Sequence, residues 1–235
     1  LYQFHKFTPF SEPQFVYPEH PTIKYLQDHA GINRFIGYNG VFLGYNYATQ
    51  FGIQTIEGYD SLNDRRRTQL FAAAQRSGSL SQPIHRSADV VLDSNLANPD
   101  ILRILQLTGT KYFVDHPTYP DVLNKNTKPT LPDDKQKLVF ADGEWKIYQY
   151  LDAFPRAYLV GSYIVEPDDQ QAVHKLFDPQ IDLLQTVILS TKPSLEIKPD
   201  PHATVKNVSY TPNKIIFQTE SSTNQLLFLS DTYYP

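Results

Sequence analysis

Helical and strand-like periods alternate along this chain as far as Lys192, and beyond it only strand-like runs remain. Helices interleaved with strands call for a sheet with helices packed against it, whereas short strands separated by polar turns call for an antiparallel arrangement. The expected fold is therefore α+β. Residues 21–192 should form a lobe with a mixed sheet and flanking helices, and residues 193–235 a strand-rich lobe that starts an antiparallel β-sandwich. Residues 1–20 carry Pro9, Pro13 and Pro18 among aromatics, which suits an extended lead-in because proline fixes φ and has no N–H for a helix.

Local signals place the elements. After Pro21, Ile23, Leu26 and Ala30 recur at helical spacing and Gly31 supplies a stop, so a helix is expected over 21–30 and a strand over 33–38. Residues 40–58 have no helical period and read as a long structured loop. Ser61 or Asn63 can cap a helix over 65–76 that Gly78 ends. Asn98-Pro99-Asp100 is a helix start with a capping side chain and proline in the first turn; Gly109 closes that helix, and Lys111–Val114 follows as a strand. Residues 119–135, with Pro120, Pro129 and Pro132, read as an exposed excursion. Asp142-Gly143 between 137–141 and 144–151 predicts a hairpin with a type I′ turn. A strand over 158–166, a helix from Pro167-Asp168-Asp169 to just before Pro179, and strands at 186–190, 203–210, 214–219 and 224–231 complete the reading.

Composition then removes function classes. With 235 residues, 40% hydrophobic and 20% charged, the chain can bury a substantial core. It has no cysteine, which eliminates disulfides, thiolate catalysis and cysteine-bound zinc. A net charge of -4 opposes a role in neutralising nucleic-acid phosphates, so no nucleic-acid partner is expected. No stretch approaches the ~20 apolar residues that a membrane helix needs. A start at Leu1 without any methionine and a stop at Tyr-Tyr-Pro directly after a strand-like run suggest a piece of a longer protein.

Motif-based chemistry is sparse. Gly-x-Ser-x-Gly and glycine-rich phosphate loops are missing. The seven histidines include no i, i+4 pair, so no metal and no cofactor are expected. Asp133-Asp134 and Asp168-Asp169 are adjacent carboxylates in a turn and a cap, which cannot flank a glycosidic bond.

The residues that can meet a ligand lie mostly in the first lobe. Tyr45, Tyr47 and Tyr59, with Phe51, are rings on which the apolar face of a sugar can stack, while Asn46 and Gln54 supply hydrogen bonds; packing within the loop is the competing use. Asp60 with Arg65 can present an acidic and a basic group to an anion or polyol, and Asp60 can equally cap the helix. Arg65-Arg66-Arg67 suits phosphate, but three successive residues fan over about 200° of a helix and cannot all face one ligand. Arg156 after Pro155 is expected to be structural, tying the two lobes through a carboxylate or carbonyls. No catalytic residue is assigned.

Four segments in fixed order carry a resemblance: Asn46-Tyr47 through Gly58-Tyr59-Asp60-Ser61-Leu62 and its arginine-rich helix; the helix and strand of Ile101–Val114, in which Thr110 stands where valine is usual; Phe154-Pro155-Arg156-Ala157; and Ser230-Asp231-Thr232-Tyr233-Tyr234-Pro235. In these the chain resembles the YfhO-like family of bacterial multi-pass membrane proteins, relatives of GT-C glycosyltransferases that use lipid-linked sugars. The resemblance implies a non-catalytic domain on the extracytoplasmic side of the bacterial cell membrane, C-terminal to a membrane-helix bundle of the same chain. Its implied partners are that bundle and a glycan or lipid-linked sugar of the cell envelope, such as those of lipoteichoic acid. The catalytic aspartate of such enzymes belongs to an early loop of the membrane part. The alternative is a carbohydrate-binding module of a soluble or secreted protein.

Overall fold

In the computed structural model, residues 12, 16–38, 47–57, 64–80, 96–116, 131–211 and 213–231 are described. The local signals of Asn98 and Gly109 build the unit at its centre. Asn98 accepts the Asp100 N–H at 2.9 Å, and helix α4 (Pro99–Leu107) runs on to Gly109, whose φ of +63° turns the chain directly into strand β3 (Thr110–Asp115). Strand β1 (Arg34–Gly37) lies parallel to β3 and, on its other side, to the short strand β2 (Gln54–Thr55). Strands β5 (Trp145–Tyr150) and β4 (Gln136–Asp142) continue the sheet antiparallel, giving the order β2-β1-β3-β5-β4.

The central strands are buried on both faces, and side-chain alternation distributes them between two cores. Ile36 and Phe113 face helices α3 (Arg65–Gln75) and α4, where Phe71, Ile101, Ile104 and Leu105 meet them. Phe35, Tyr112, Val114 and Ile147 face the opposite layer, with Ile23, Leu26 and Ala30 of helix α1 (Pro21–His29) and its C-terminus. The chain is thus α+β with a mixed sheet and flanking helices, as the alternation of periods predicts.

Several expectations are refined. The stretch read as a loop over 40–58 contains a helical turn, α2 (Tyr47–Gln50), and β2. The cap of α3 is Asp64, which accepts the Arg67 N–H at 2.7 Å, and neither Ser61 nor Asn63; Ser61 and Asn63 lie outside the described residues. The hairpin forms, but Asp142 pairs with Trp145, so its two-residue loop is Gly143-Glu144 and Gly143 alone has positive φ. Glycine at the first loop position matches a type II′ turn instead of type I′. Of the excursion predicted over 119–135, residues 119–130 lie outside the described residues.

The strand expected over 158–166 breaks into β6 (Ala157–Val160) and β7 (Ser162–Val165) at Gly161, where an added Cβ would stand 2.3 Å from the Pro199 Cα. Helix α5 (Asp169–Phe177) starts on the Asp168 cap, and β8 (Thr186–Leu189) pairs parallel with β7. In the strand-rich end, β9 (Thr204–Thr211) and β10 (Lys214–Glu220) form an antiparallel hairpin, while β11 (Leu226–Leu229) returns to pair antiparallel with β6. That return carries residues 230 and 231 back beside β1.

Candidate functional site

Arg156 sits at the head of β6 and is 1% exposed. A buried guanidinium must have its donors met, because leaving one unpaired costs about 1–3 kcal/mol or more. Its Nη1 donates to the Ile32 carbonyl and to Gln54 Oε1, both at 2.6 Å. Its Nη2 donates to Asp231 Oδ1 at 2.9 Å and to the Tyr210 hydroxyl at 3.3 Å, and the Tyr210 hydroxyl donates to Asp231 Oδ2 at 2.7 Å. The Nε has no partner among the described residues. Arg156 therefore joins β2, β6, β9 and the end of β11.

Arg34, the first residue of β1, takes the same carboxylate from the other side. Its Nη2 donates to Asp231 Oδ1 at 2.9 Å, and its Nη1 to the Thr108 carbonyl at 2.7 Å and Ser230 Oγ at 3.0 Å. Burial pushes the Arg34 guanidinium down to about 10, the adjacent Arg156 adds to the fall, and Asp231 opposes it. Burial and the bond to Asp231 both push the Tyr210 hydroxyl up. Gly109 makes room for this hub: a Cβ there would lie 2.4 Å from Arg156 Cδ.

Beside the hub opens a cleft of about 550 Å³. Arg34, Ser230 and Asp231 line one end, and α3 forms a wall with Asp64, Arg66, Arg67 and Leu70. Ile104 and Thr108 come from α4 and Phe228 from β11. Arg67 donates through Nη2 to the Ile56 carbonyl and lies over the Phe71 ring, 4.8 Å from its centroid. Burial lowers its pKa, with Asp64 opposing. The cleft thus combines cationic groups with apolar walls, a lining suited to an anionic group attached to an organic body.

At the carboxyl ends of β1 and β2, the Glu57 carboxylate takes the Gly37 N–H at 3.4 Å. Burial pushes this carboxyl up to about 7, and the Gly37 bond only partly offsets that. Among the described residues no group of three histidine, aspartate or glutamate side chains is placed to hold a metal ion.

The residues expected to bind are distributed as follows. Gln54 is a ligand of Arg156 in the hub. Tyr47 donates to the Val16 carbonyl and joins Tyr17 and Phe51 in a ring cluster, with centroids 5.2 Å and 5.9 Å from its own. Arg65 is exposed and is not among the residues lining the cleft, whereas its neighbours Arg66 and Arg67 are; the 100° step between helical residues separates them. Arg156 has the expected carboxylate and carbonyl partners. Tyr45, Asn46, Tyr59 and Asp60 lie outside the described residues.

Sequence reading missed Arg34, Tyr210 and the role of Asp231. Asp231 belongs to the terminal Ser230–Pro235 segment, but its arginine partners lie 75 and 197 positions away, and no local signal links them. Comparison with protein-family models, with curated proteins and with solved structures returned no match. No helix among the described residues is long and apolar enough to cross a membrane.

Proposed function

We propose that this chain is a non-catalytic extracytoplasmic domain of a membrane-embedded, GT-C-like glycosyltransferase, positioning an acceptor or a lipid-linked sugar of the cell envelope. The observation that carries this reading is the meeting of residues from all four family-like segments in one buried hub. Gly109 of the helix–strand unit packs against the Arg156 side chain, and Arg156 of the Phe-Pro-Arg-Ala segment pairs with Asp231 of the terminal segment. The first segment touches the same hub through Gln54 in its approach. A motif set spread over the sequence that converges on packing contacts is one that specifies a shape.

The electrostatics support a positioning role. A general base needs a carboxylate free to accept a proton at the working pH. Asp231 instead accepts from two guanidiniums and a phenol, so its lone pairs are engaged. The test is a transfer assay with the purified chain, a polyprenyl-phosphate-linked sugar and an envelope-polymer acceptor. No transfer is expected from the chain alone, together with transfer by the full-length protein that carries it. Turnover by the chain alone overturns the non-catalytic assignment.

A second reading, an independent carbohydrate-binding module, is favoured by one observation: Tyr17, 41% exposed, forms a surface ring cluster with Tyr47 and Phe51. Calorimetric titration with neutral oligosaccharides separates the two. Sugar affinity that Tyr17→Ala removes supports the module; no heat at millimolar sugar counts against it.

A further inference from the structure

Arg34, Arg66, Arg67 and Arg156 place four guanidiniums in and directly behind the cleft, and among the described residues lining it only Asp64 and Asp231 are carboxylates. Among the lining residues that sets three guanidiniums against two carboxylates, an excess of one positive charge, with Arg156 directly behind. Asp231 is already shared between Arg34 and Arg156, and Asp64 is occupied as the α3 cap, accepting the Arg67 N–H. Like charges held together in a partly dry cleft repel strongly, and a bound anion relieves that repulsion.

We propose that the cleft between α3 and the β11 end binds a phosphate monoester, with Arg66 and Arg67 as the cationic clamp and Arg34 behind them. A phosphate monoester carries about −1.5 to −2 charge at pH 7 and offers three strong acceptor oxygens to these donors, more charge and more acceptors than a carboxylate presents. Guanidinium groups offer the paired donors that phosphate oxygens accept. Leu70, Ile104 and Phe228 line the same space and give the organic body of the ester an apolar surface. The volume of about 550 Å³ exceeds what phosphate alone fills and lies in the range of small-ligand sites. The mutual repulsion of Arg34 with Arg156 and Arg67, and the desolvation of Arg34 and Arg67, are the strain such a ligand would relieve. This inference does not depend on the membrane reading, since either a soluble sugar phosphate or a phosphate headgroup at a lipid surface has the required chemistry.

The experiment is calorimetric titration of the whole 235-residue chain with glucose 6-phosphate, with glucose as control, alongside sedimentation with phosphatidylcholine vesicles containing or lacking phosphatidic acid. Binding of glucose 6-phosphate without vesicle binding assigns a soluble ligand. Sedimentation only with phosphatidic acid assigns a headgroup. In either case Arg66→Gln, on an exposed side chain whose loss leaves the core intact, should weaken binding about threefold or more. Arg67→Gln should weaken it about tenfold or more. Lys24→Gln, on the opposite helix layer, should bind as the unaltered chain does. The proposal is overturned if neither probe binds beyond its control, or if Arg66→Gln and Arg67→Gln both bind as tightly as the unaltered chain. Those outcomes leave the transfer assay, which tests the domain's role, unaffected.

Discussion

Arg156 and Asp231 are separated by 75 positions in sequence and by 2.9 Å in the fold, with the arginine side chain fully buried and the carboxylate one-quarter exposed. The pair closes β11 onto β6, and Arg34 locks the same carboxylate to β1. Removing one partner of such a group leaves charge buried without compensation, which costs more than the pair itself contributes.

Asp231→Ala should therefore destabilise the chain by about 3 kcal/mol, since it strands two guanidiniums at once. Tyr210→Phe removes one hydroxyl from the same network and should cost about 1 kcal/mol. Urea unfolding of both variants gives the comparison, and equal small losses would mean that the carboxylate is solvated in solution.

Gly109 and Gly143 share a positive φ, of +63° and +55°, but differ in surroundings. A Cβ at 143 meets nothing within 4 Å, whereas one at 109 meets Arg156 Cδ at 2.4 Å. Gly143→Ala should cost only the left-handed backbone strain, about 1–2 kcal/mol. Gly109→Ala should cost clearly more, because it also displaces the hub. Thermal melts of the two variants should rank in that order.

The Glu57 carboxyl titrates near 7 when folded and near 4.5 when unfolded, because burial disfavours its charge. Below pH 4.5 both states hold the proton and the residue has no effect on stability. Between about 4.5 and 7 the unfolded chain releases its proton first, so this contribution falls as pH rises, and above 7 the full deficit remains. The deficit should be on the order of 3 kcal/mol. Glu57→Gln should stabilise the chain at pH 8 relative to pH 4.5; an unchanged pH profile in that variant contradicts the account.

Asp64→Ala removes the α3 cap and should cost about 1 kcal/mol by denaturant unfolding. It also deletes one of the two carboxylates that line the cleft among the described residues, so anion affinity should rise while stability falls. Unchanged anion affinity alongside the loss of stability would mean that Asp64 acts on the cap alone.

The elements whose causes are local were readable from sequence. Asn98, Pro99 and Gly109 bracket a helix and hand it to a strand within eleven residues, and Asp168 caps the start of α5. Local signals also erred locally: Asp142-Gly143 announced the hairpin but not which two residues sit in its loop, because strand register is settled by cross-strand pairs such as Asp142–Trp145. β2 went unseen because two residues carry no period, and only the neighbouring β1 defines it. At the site, Arg156 was legible as a tie because a proline fixes its approach. Arg34 was not, since an arginine opening a strand is indistinguishable from a solvent-facing one until the return of β11 brings Asp231 beside it. Tertiary burial, not spacing, makes that pair.

A double-mutant cycle on Arg156 and Asp231 tests most directly whether the converging segments form one structural tie. Arg156→Met and Asp231→Leu should each destabilise the chain strongly, while the double variant should be less destabilised than their sum by about 2 kcal/mol or more. Additive losses would contradict it and return Asp231 to consideration as a free, functional carboxylate.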